Sequence, residues 1–343
     1  MQKIIINGRF LAARLTGSQR YSRELVMGLD NISSPDEFEI AIPPETVNVP
    51  DYKNIKVTSV GKLHNRAWEH ISFPIYVKKK GAISLNLCNT APLISPGIVV
   101  IHDMRIKARP HDLTKKFLLW YRLLFANEMK RARAIITVSE FSKREIMKYY
   151  HIAPPPERIT VIPNAWQHYL RIPYSDDALS KYNLESGKFF FSISSIEPNK
   201  NLNWLAQAAK KYPDEIFAVA GGINKNVYGN GLNFEYPNNM KLIGYVSDSE
   251  AKTLMRECKG FIFPTFYEGF GIPPLEALSA GAKRVLVSDT EIMHEVYGDS
   301  VEYINPYEPI LPDPVQTTAA DLVLKKYSWE KSAAMLYDLL RKL

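Results

Sequence analysis

Gly260-Phe261-Ile262-Phe263-Pro264-Thr265-Phe266-Tyr267-Glu268-Gly269-Phe270-Gly271-Ile272-Pro273-Pro274-Leu275-Glu276 reads as three elements in succession. Residues 260–264 are a buried-strand pattern ended by a proline. Residues 267–271 hold two glycines and form a turn. Pro273 and Pro274 then fall in a first helical turn, where a missing N–H breaks no helix bond. Strand, glycine loop and helix in that order expose backbone N–H groups and the positive end of a helix dipole at the carboxyl edge of a parallel sheet. Phosphate-bearing ligands bind there in open α/β folds. Gly269 and Gly271 let a ligand approach the backbone. Glu268 in the loop and Glu276 one turn into the helix can accept hydrogen bonds from hydroxyls at two ends of such a ligand. Two glutamates at a helix start are also what the dipole favours on a solvated surface.

Outward from this segment, short β-branched or aromatic runs alternate with helical-period segments, the pattern of parallel sheets covered by helices. Strands are expected at residues 3–6, 37–42, 55–60, 83–86, 98–102 and 134–138, then at 189–194, 216–220, 241–243, 261–264 and 284–288. Helices are expected at 18–29, 113–133, 202–211, 249–258 and 274–280. Residues 153–177 hold Pro154-Pro155-Pro156, Pro163 and Pro173 without periodicity and read as an interdomain connection. The division is therefore a domain at 1–165 and another at 178–327, with a C-terminal helix at 328–343, capped by Ser328, packing back on the first. A chain of 343 residues exceeds the size at which one core stops growing, which agrees with two domains.

The composition, 46% hydrophobic and 23% charged, is that of a globular protein, and no run of 18 apolar residues could span a bilayer. The opening Met1-Gln2-Lys3-Ile4-Ile5-Ile6-Asn7-Gly8 is too brief for a signal peptide and reads as the first strand of a cytoplasmic protein. Cys88 and Cys258 lack the spacing of a zinc site or redox pair and read as reduced core thiols. Between residues 105 and 148, twelve Lys/Arg stand against four acidic residues, a local excess of +8 that suits an anionic partner.

Residues 263–277 resemble the Glu-x7-Glu signature of family 4 glycosyltransferases over fifteen positions in register. The likeness continues in Thr16-Gly17-Ser18-Gln19-Arg20-Tyr21, Ile101-His102-Asp103, Thr137-Val138-Ser139-Glu140-Phe141-Ser142, Ile162-Pro163-Asn164, Glu197-Pro198-Asn199-Lys200-Asn201-Leu202 and Tyr327-Ser328-Trp329. It implies the GT-B fold, α/β with two Rossmann-like parallel-sheet domains facing a cleft, and a metal-independent, retaining hexosyltransferase that needs no cofactor beyond its nucleotide-sugar co-substrate. Carried over residue by residue, it makes His102, Lys200 and Glu268 catalytic. Gly17, Ser139, Asn164, Gly221, Gly244, Val246, Gly269, Phe270, Gly271, Ile272 and Glu276 become donor-binding. The bland readings remain beside these: Gly17 as a turn glycine, His102 bonding its own loop, Lys200 as a solvated lysine, and the other six histidines as bystanders.

The resemblance departs at one point. The family often carries an arginine a few residues before the lysine and another directly before it, whereas this chain has Ser194-Ser195 and Asn199, so charge stabilisation is expected to rest on Lys200 and backbone N–H groups. Ser247-Asp248-Ser249-Glu250 is explained as a helix start rather than a metal cluster. Asp-x-Asp, His-Glu-x-x-His and the phosphate-loop signature are all absent.

The expected reaction moves a hexose, with mannose from GDP-mannose the closest fit by resemblance, onto a lipid-linked glycan such as a lipopolysaccharide O-antigen. UDP- or dTDP-sugars are the alternative donors. Residues 115–125 mix cations and aromatics and suggest peripheral contact with an anionic membrane at its cytoplasmic face, though Leu118, Tyr121, Leu124 and Phe125 also fit an ordinary buried stripe. Two rivals stand outside this reading: a glycoside hydrolase with paired carboxylates, and a non-catalytic nucleotide- or nucleic-acid-binding protein. No nucleic-acid module is visible, so nucleic acid is not an expected partner.

Overall fold

A computed structural model of the chain describes residues 3–150, 158–195, 197–222 and 236–343. The Pro154-Pro155-Pro156 run lies outside them. The chain forms two compact units: Met1–Met104 with Leu119–Asn164 and Ser328–Leu343, and Arg105–Leu118 with Ala165–Tyr327.

Among the described residues, the first unit holds β1 (Ile4–Asn7), β2 (Phe38–Ile42), β3 (Lys56–Ser59), β4 (Ile83–Asn86), β5 (Ile98–Val100), β6 (Ala134–Thr137) and β7 (Ile159–Val161). They pair in the order β3-β2-β1-β4-β5-β6-β7, every pair parallel. The continuous apolar runs have a direct cause: a parallel strand with helices on both faces has no solvent side, and β1, β4, β5 and β6 are buried at every position. The edge strand β3, with its Lys56 and Ser59 exposed, can be polar. The helix Trp329–Lys342, with Ser328 Oγ accepting from Lys331 N–H, packs on the helix Gly17–Ile32. Gly28 permits this approach, since a Cβ there would lie 2.4 Å from Ala333 Cβ.

In the second unit, β8 (Phe189–Ile193), β9 (Ile216–Ala220), β10 (Met240–Gly244), β11 (Gly260–Phe263), β12 (Val285–Ser288) and β13 (Glu302–Ile304) pair in parallel in the order β10-β9-β8-β11-β12-β13. Its core joins Phe190, Phe217, Ile262, Leu286 and Ile304 from the sheet to Leu202, Trp204, Leu205, Ala208 and Ala209 of the helix Leu202–Lys211. The strand order reverses between β8 and β11. Loops that follow these two strands run in opposite directions across the sheet and leave a crevice at the carboxyl edge, the place where an α/β sheet binds ligands.

The sequence reading needs correction at three points. Strands β7 and β13, three residues each, were not expected, because such short strands are fixed by their neighbours rather than by periodicity. Residues 165–177 are not a bare connection: Trp166 Nε1 donates to Leu324 O, Gln167 Nε2 to Tyr327 O, and buried Lys252 Nζ to Tyr169 O and Ile172 O at 2.7 Å each, all within the second unit. Residues 105–118, assigned to the first domain by position in the chain, group with the second unit.

Candidate functional site

The loops after β8 and β11 meet at the strand-order reversal of the second sheet. After β8 the chain makes a 3-10 turn, Pro198–Lys200, and Asn201 then takes a left-handed conformation at φ 56°, which Asn tolerates better than most residues. Asn201 Nδ2 donates to Pro264 O and Pro306 O, Asn199 Nδ2 donates to Tyr267 O at 2.7 Å, and Phe266 N–H returns a bond to Asn199 O at 2.9 Å. These bonds bolt the lysine-bearing turn to the glutamate-bearing loop. The result is a Lys200 Nζ to Glu268 Oε1 distance of 2.7 Å, with Nζ 5.5 Å from the centre of the Phe263 ring. The sequence reading placed Lys200 and Glu268 in one site, and the structure brings them together. It overlooked Asn199 and Asn201, whose signal was their place on either side of the lysine.

Beyond Glu268, the loop turns into the helix Ile272–Ser279 through Gly271 at φ 84°. A Cβ at that position would stand 2.7 Å from Met293 Cε, and buried Tyr297 donates its hydroxyl to Gly271 O, so conformation and space both demand glycine. Phe270 is buried edge-on against Tyr327 at 5.0 Å, and Ile272 is buried at the helix start. These two shape the loop as core residues. Glu276 accepts from His168 Nε2 at 2.8 Å. His168, which the sequence reading set aside as a bystander, is fully buried on the turn Gln167–Arg171 and bonded to an expected site residue. Its only sequence cue was a histidine among aromatics in a proline-flanked stretch.

At the far side of the same sheet, Gly244 ends β10 at φ 72° and its carbonyl accepts from Gly221 N–H at 2.7 Å, while Val246 is buried. Gly221 and Gly244 thus form one backbone-lined corner at the β9–β10 edge of the sheet. Ser247 opens the helix Asp248–Glu257 with a full capping box to Glu250, which removes the acidic run 248–250 from consideration as a ligand set. Burial alone would raise the Glu250 carboxyl, but bonds from Lys181 and from Ser247 outweigh it and hold it at about 2.

Four expected site residues lie in the first unit. His102 follows β5 and is half-buried. Its Nε2 lies 2.8 Å from Leu87 O, its backbone N–H bonds Asn89 Oδ1 at 2.7 Å, and its ring stands edge-on to Tyr21 at 4.9 Å. Burial holds its pKa below the ordinary value against the opposing pull of the Leu87 carbonyl and Asp103. A carbonyl can only accept, so Nε2 carries the hydrogen of the neutral ring and Nδ1 is left as an acceptor. Gly17 is the exposed first residue of the helix Gly17–Ile32, after Thr16. Ser139 is a helix cap, its Oγ accepting from Ser142 N–H at 3.0 Å. Asn164 is buried, and its Oδ1 has no hydrogen-bond partner among the described residues. Cys88 and Cys258 are free thiols, pushed up by burial to about 11 and about 12.

Comparison with known proteins accounts for both units. The family model "Glycosyl transferases group 1" matches residues 176–309, and "Glycosyltransferase Family 4" matches residues 81–166. The chain is 28% identical over 322 residues to the O-antigen chain mannosyltransferase RfbU of Salmonella typhimurium, covering 88% of this chain and 87% of that protein. Its fold is that of sucrose-phosphate synthase from Thermosynechococcus elongatus (TM-score 0.73, 15% identity, 100% and 99% coverage). It is also that of Anabaena HepE, solved in complex with UDP and glucose (TM-score 0.70, 14% identity, 100% of both chains). The fold is GT-B, with two Rossmann-like parallel-sheet domains.

Proposed function

Because this chain is a glycosyltransferase carrying a group 1 domain and a family 4 domain, we propose that it transfers mannose from GDP-mannose to a saccharide acceptor with retention of anomeric configuration. The observation that carries this reading is the Lys200–Glu268 pair at the strand-order reversal of the second sheet. The mannosyl choice is supported by the name of the relative RfbU, and a UDP- or dTDP-sugar is the second reading.

In the proposed reaction the bond between the sugar anomeric carbon and the diphosphate oxygen breaks, and a bond from that carbon to the acceptor oxygen forms on the same face. The acceptor proton passes to a phosphate oxygen, so no side chain need act as covalent nucleophile. Lys200 leaves Glu268 to meet the growing negative charge of the diphosphate, where a preorganised cation is worth most. The freed Glu268 accepts a bond from a sugar hydroxyl, Glu276 accepts one from the ribose, and the backbone of Gly221, Gly244, Gly269 and Gly271 lines the nucleotide and phosphates. His102, with Nδ1 as acceptor, receives a sugar hydroxyl. No metal or resident cofactor takes part.

Residues near the basic stretch support a further part of the proposal, a peripheral position at the cytoplasmic face of an anionic membrane and a lipid-linked acceptor. In the first unit, Leu119 and Leu123 are exposed one helical turn apart, as are Ile71 and Ile75. Trp120 joins the two helices, edge-on to His70 at 5.3 Å and under Arg66 at 5.9 Å. Lys78, Lys79 and Arg122 add charge on the same segments. No helix among the described residues is long and apolar enough to cross a membrane.

A panel of GDP-, UDP- and dTDP-sugars, assayed with and without EDTA and with the product anomer read by NMR, tests the reading. Turnover of GDP-mannose with retention and without metal is expected. Turnover of another sugar nucleotide alone, inversion, or abolition by EDTA overturns the corresponding part. Flotation with phosphatidylglycerol vesicles, lost on Leu119→Glu/Leu123→Glu, tests the membrane position.

A further inference from the structure

The carboxylate of Glu197 is buried three residues ahead of Lys200, and two cations come within 4.0 Å of it among the described residues. Arg105 NH1 lies 3.0 Å from its Oε2, a charge contact without hydrogen-bond alignment, and Lys200 Nζ lies 4.0 Å from its Oε1. Lys200 is in turn 2.7 Å from Glu268. Two carboxylates therefore compete for one ammonium, and a buried carboxylate deprived of its partner draws in whatever cation can reach it. Arg105 comes from the short helix Arg105–Ala108, in the segment that groups with the second unit. Four residues on, Arg109 caps the same segment by stacking over Phe266 at 4.4 Å while paired with Asp112, so the segment is anchored beside both switch-point loops.

We propose that Arg105 is a positioning residue for the transfer reaction: by holding Glu197, it leaves Lys200 to Glu268 and to the donor diphosphate. Without Arg105 the Glu197 carboxylate captures Lys200, which needs to move little from its 4.0 Å separation, and the ammonium is lost to the leaving group. The sequence offers no local arginine for this duty, since Ser194, Ser195 and Asn199 surround the lysine. The arginine arrives from nearly a hundred residues upstream. This inference rests on the assignment of Lys200 to the donor diphosphate.

The test is a double-mutant cycle on the full chain, with kcat and donor KM measured separately and the melting temperature as a check on folding. Arg105→Ala is expected to lower kcat by about tenfold or more, Arg105→Lys to stay within about threefold of wild type, and Arg105→Ala/Glu197→Gln to recover to within about threefold of Glu197→Gln alone. Arg105→Gln serves where the alanine variant does not fold. A purely structural arginine gives no such rescue, because deleting its partner cannot restore lost packing. Wild-type kcat in Arg105→Ala, or a double variant no faster than Arg105→Ala, overturns the proposal. Lys200→Ala separates the two levels: if it is inactive while Arg105→Ala is normal, only this inference fails, and if it is itself normal, the donor-site reading fails with it.

Discussion

His168 Nε2 lies 2.8 Å from Glu276 Oε1, a buried imidazole fixing a carboxylate in the first turns of the helix that follows the glycine loop. In the proposed reaction Glu276 meets a ribose hydroxyl, and the His168 bond to Oε1 fixes the carboxylate that does so. His168→Phe keeps the ring volume and removes the bond, so donor KM is expected to rise by about tenfold, the loss of one hydrogen bond to a charged group, with kcat changed less. Steady-state kinetics over a donor titration check this; a fall in kcat at unchanged KM contradicts it.

Gly271→Ala is expected to destabilise the second unit by roughly 1–3 kcal/mol, since alanine is strained at φ 84° and its Cβ meets Met293 Cε at 2.7 Å. Adding Met293→Ala removes the clash and leaves the strain, so the double variant should recover part of the loss after allowance for the cavity made by Met293→Ala alone. Urea unfolding of the four proteins reads it out. An unchanged midpoint for Gly271→Ala contradicts the account.

Glu128 supplies a pH-dependent prediction. It is buried in the first unit, its Oε1 accepts from Ala91 N–H at 2.9 Å, and burial, aided by the nearby Glu69 charge, raises its pKa well above 4.5. A carboxyl raised in the folded chain holds its proton more tightly there than when unfolded. Its contribution is thus complete below the unfolded value and lost as pH rises through the folded one. Glu128→Gln keeps an acceptor for Ala91 without a titrating proton. Relative to wild type, it should gain stability as pH rises above the ordinary carboxyl range in urea unfolding; a difference independent of pH contradicts the assignment.

The strand cores of both sheets were legible because buried parallel strands leave continuous apolar runs such as Ile4-Ile5-Ile6 and Phe261-Ile262-Phe263. Lys200, Glu268 and the glycine loop were legible because they occupy two loops whose motifs are local in sequence. His168, Glu197 and Arg105 were not. Each acts on a partner far along the chain: His168 on Glu276, and Arg105 on Glu197, 92 positions away. No periodicity encodes such a pairing, which exists only once the sheet has ordered its loops. Ser139 shows the converse, a residue visible in its motif whose Oγ also accepts the N–H of Ser142 as a helix cap, a local bond that the motif alone does not reveal.

The central claim is that Lys200, set 2.7 Å from Glu268, carries the charge of the departing diphosphate. The most direct measurement is single-turnover transfer from GDP-mannose by Lys200→Ala, with melting temperature confirming the fold. The account predicts a rate lower by about a hundredfold or more, as for loss of a preorganised group facing transition-state charge. A folded variant turning over within about threefold of wild type would contradict it.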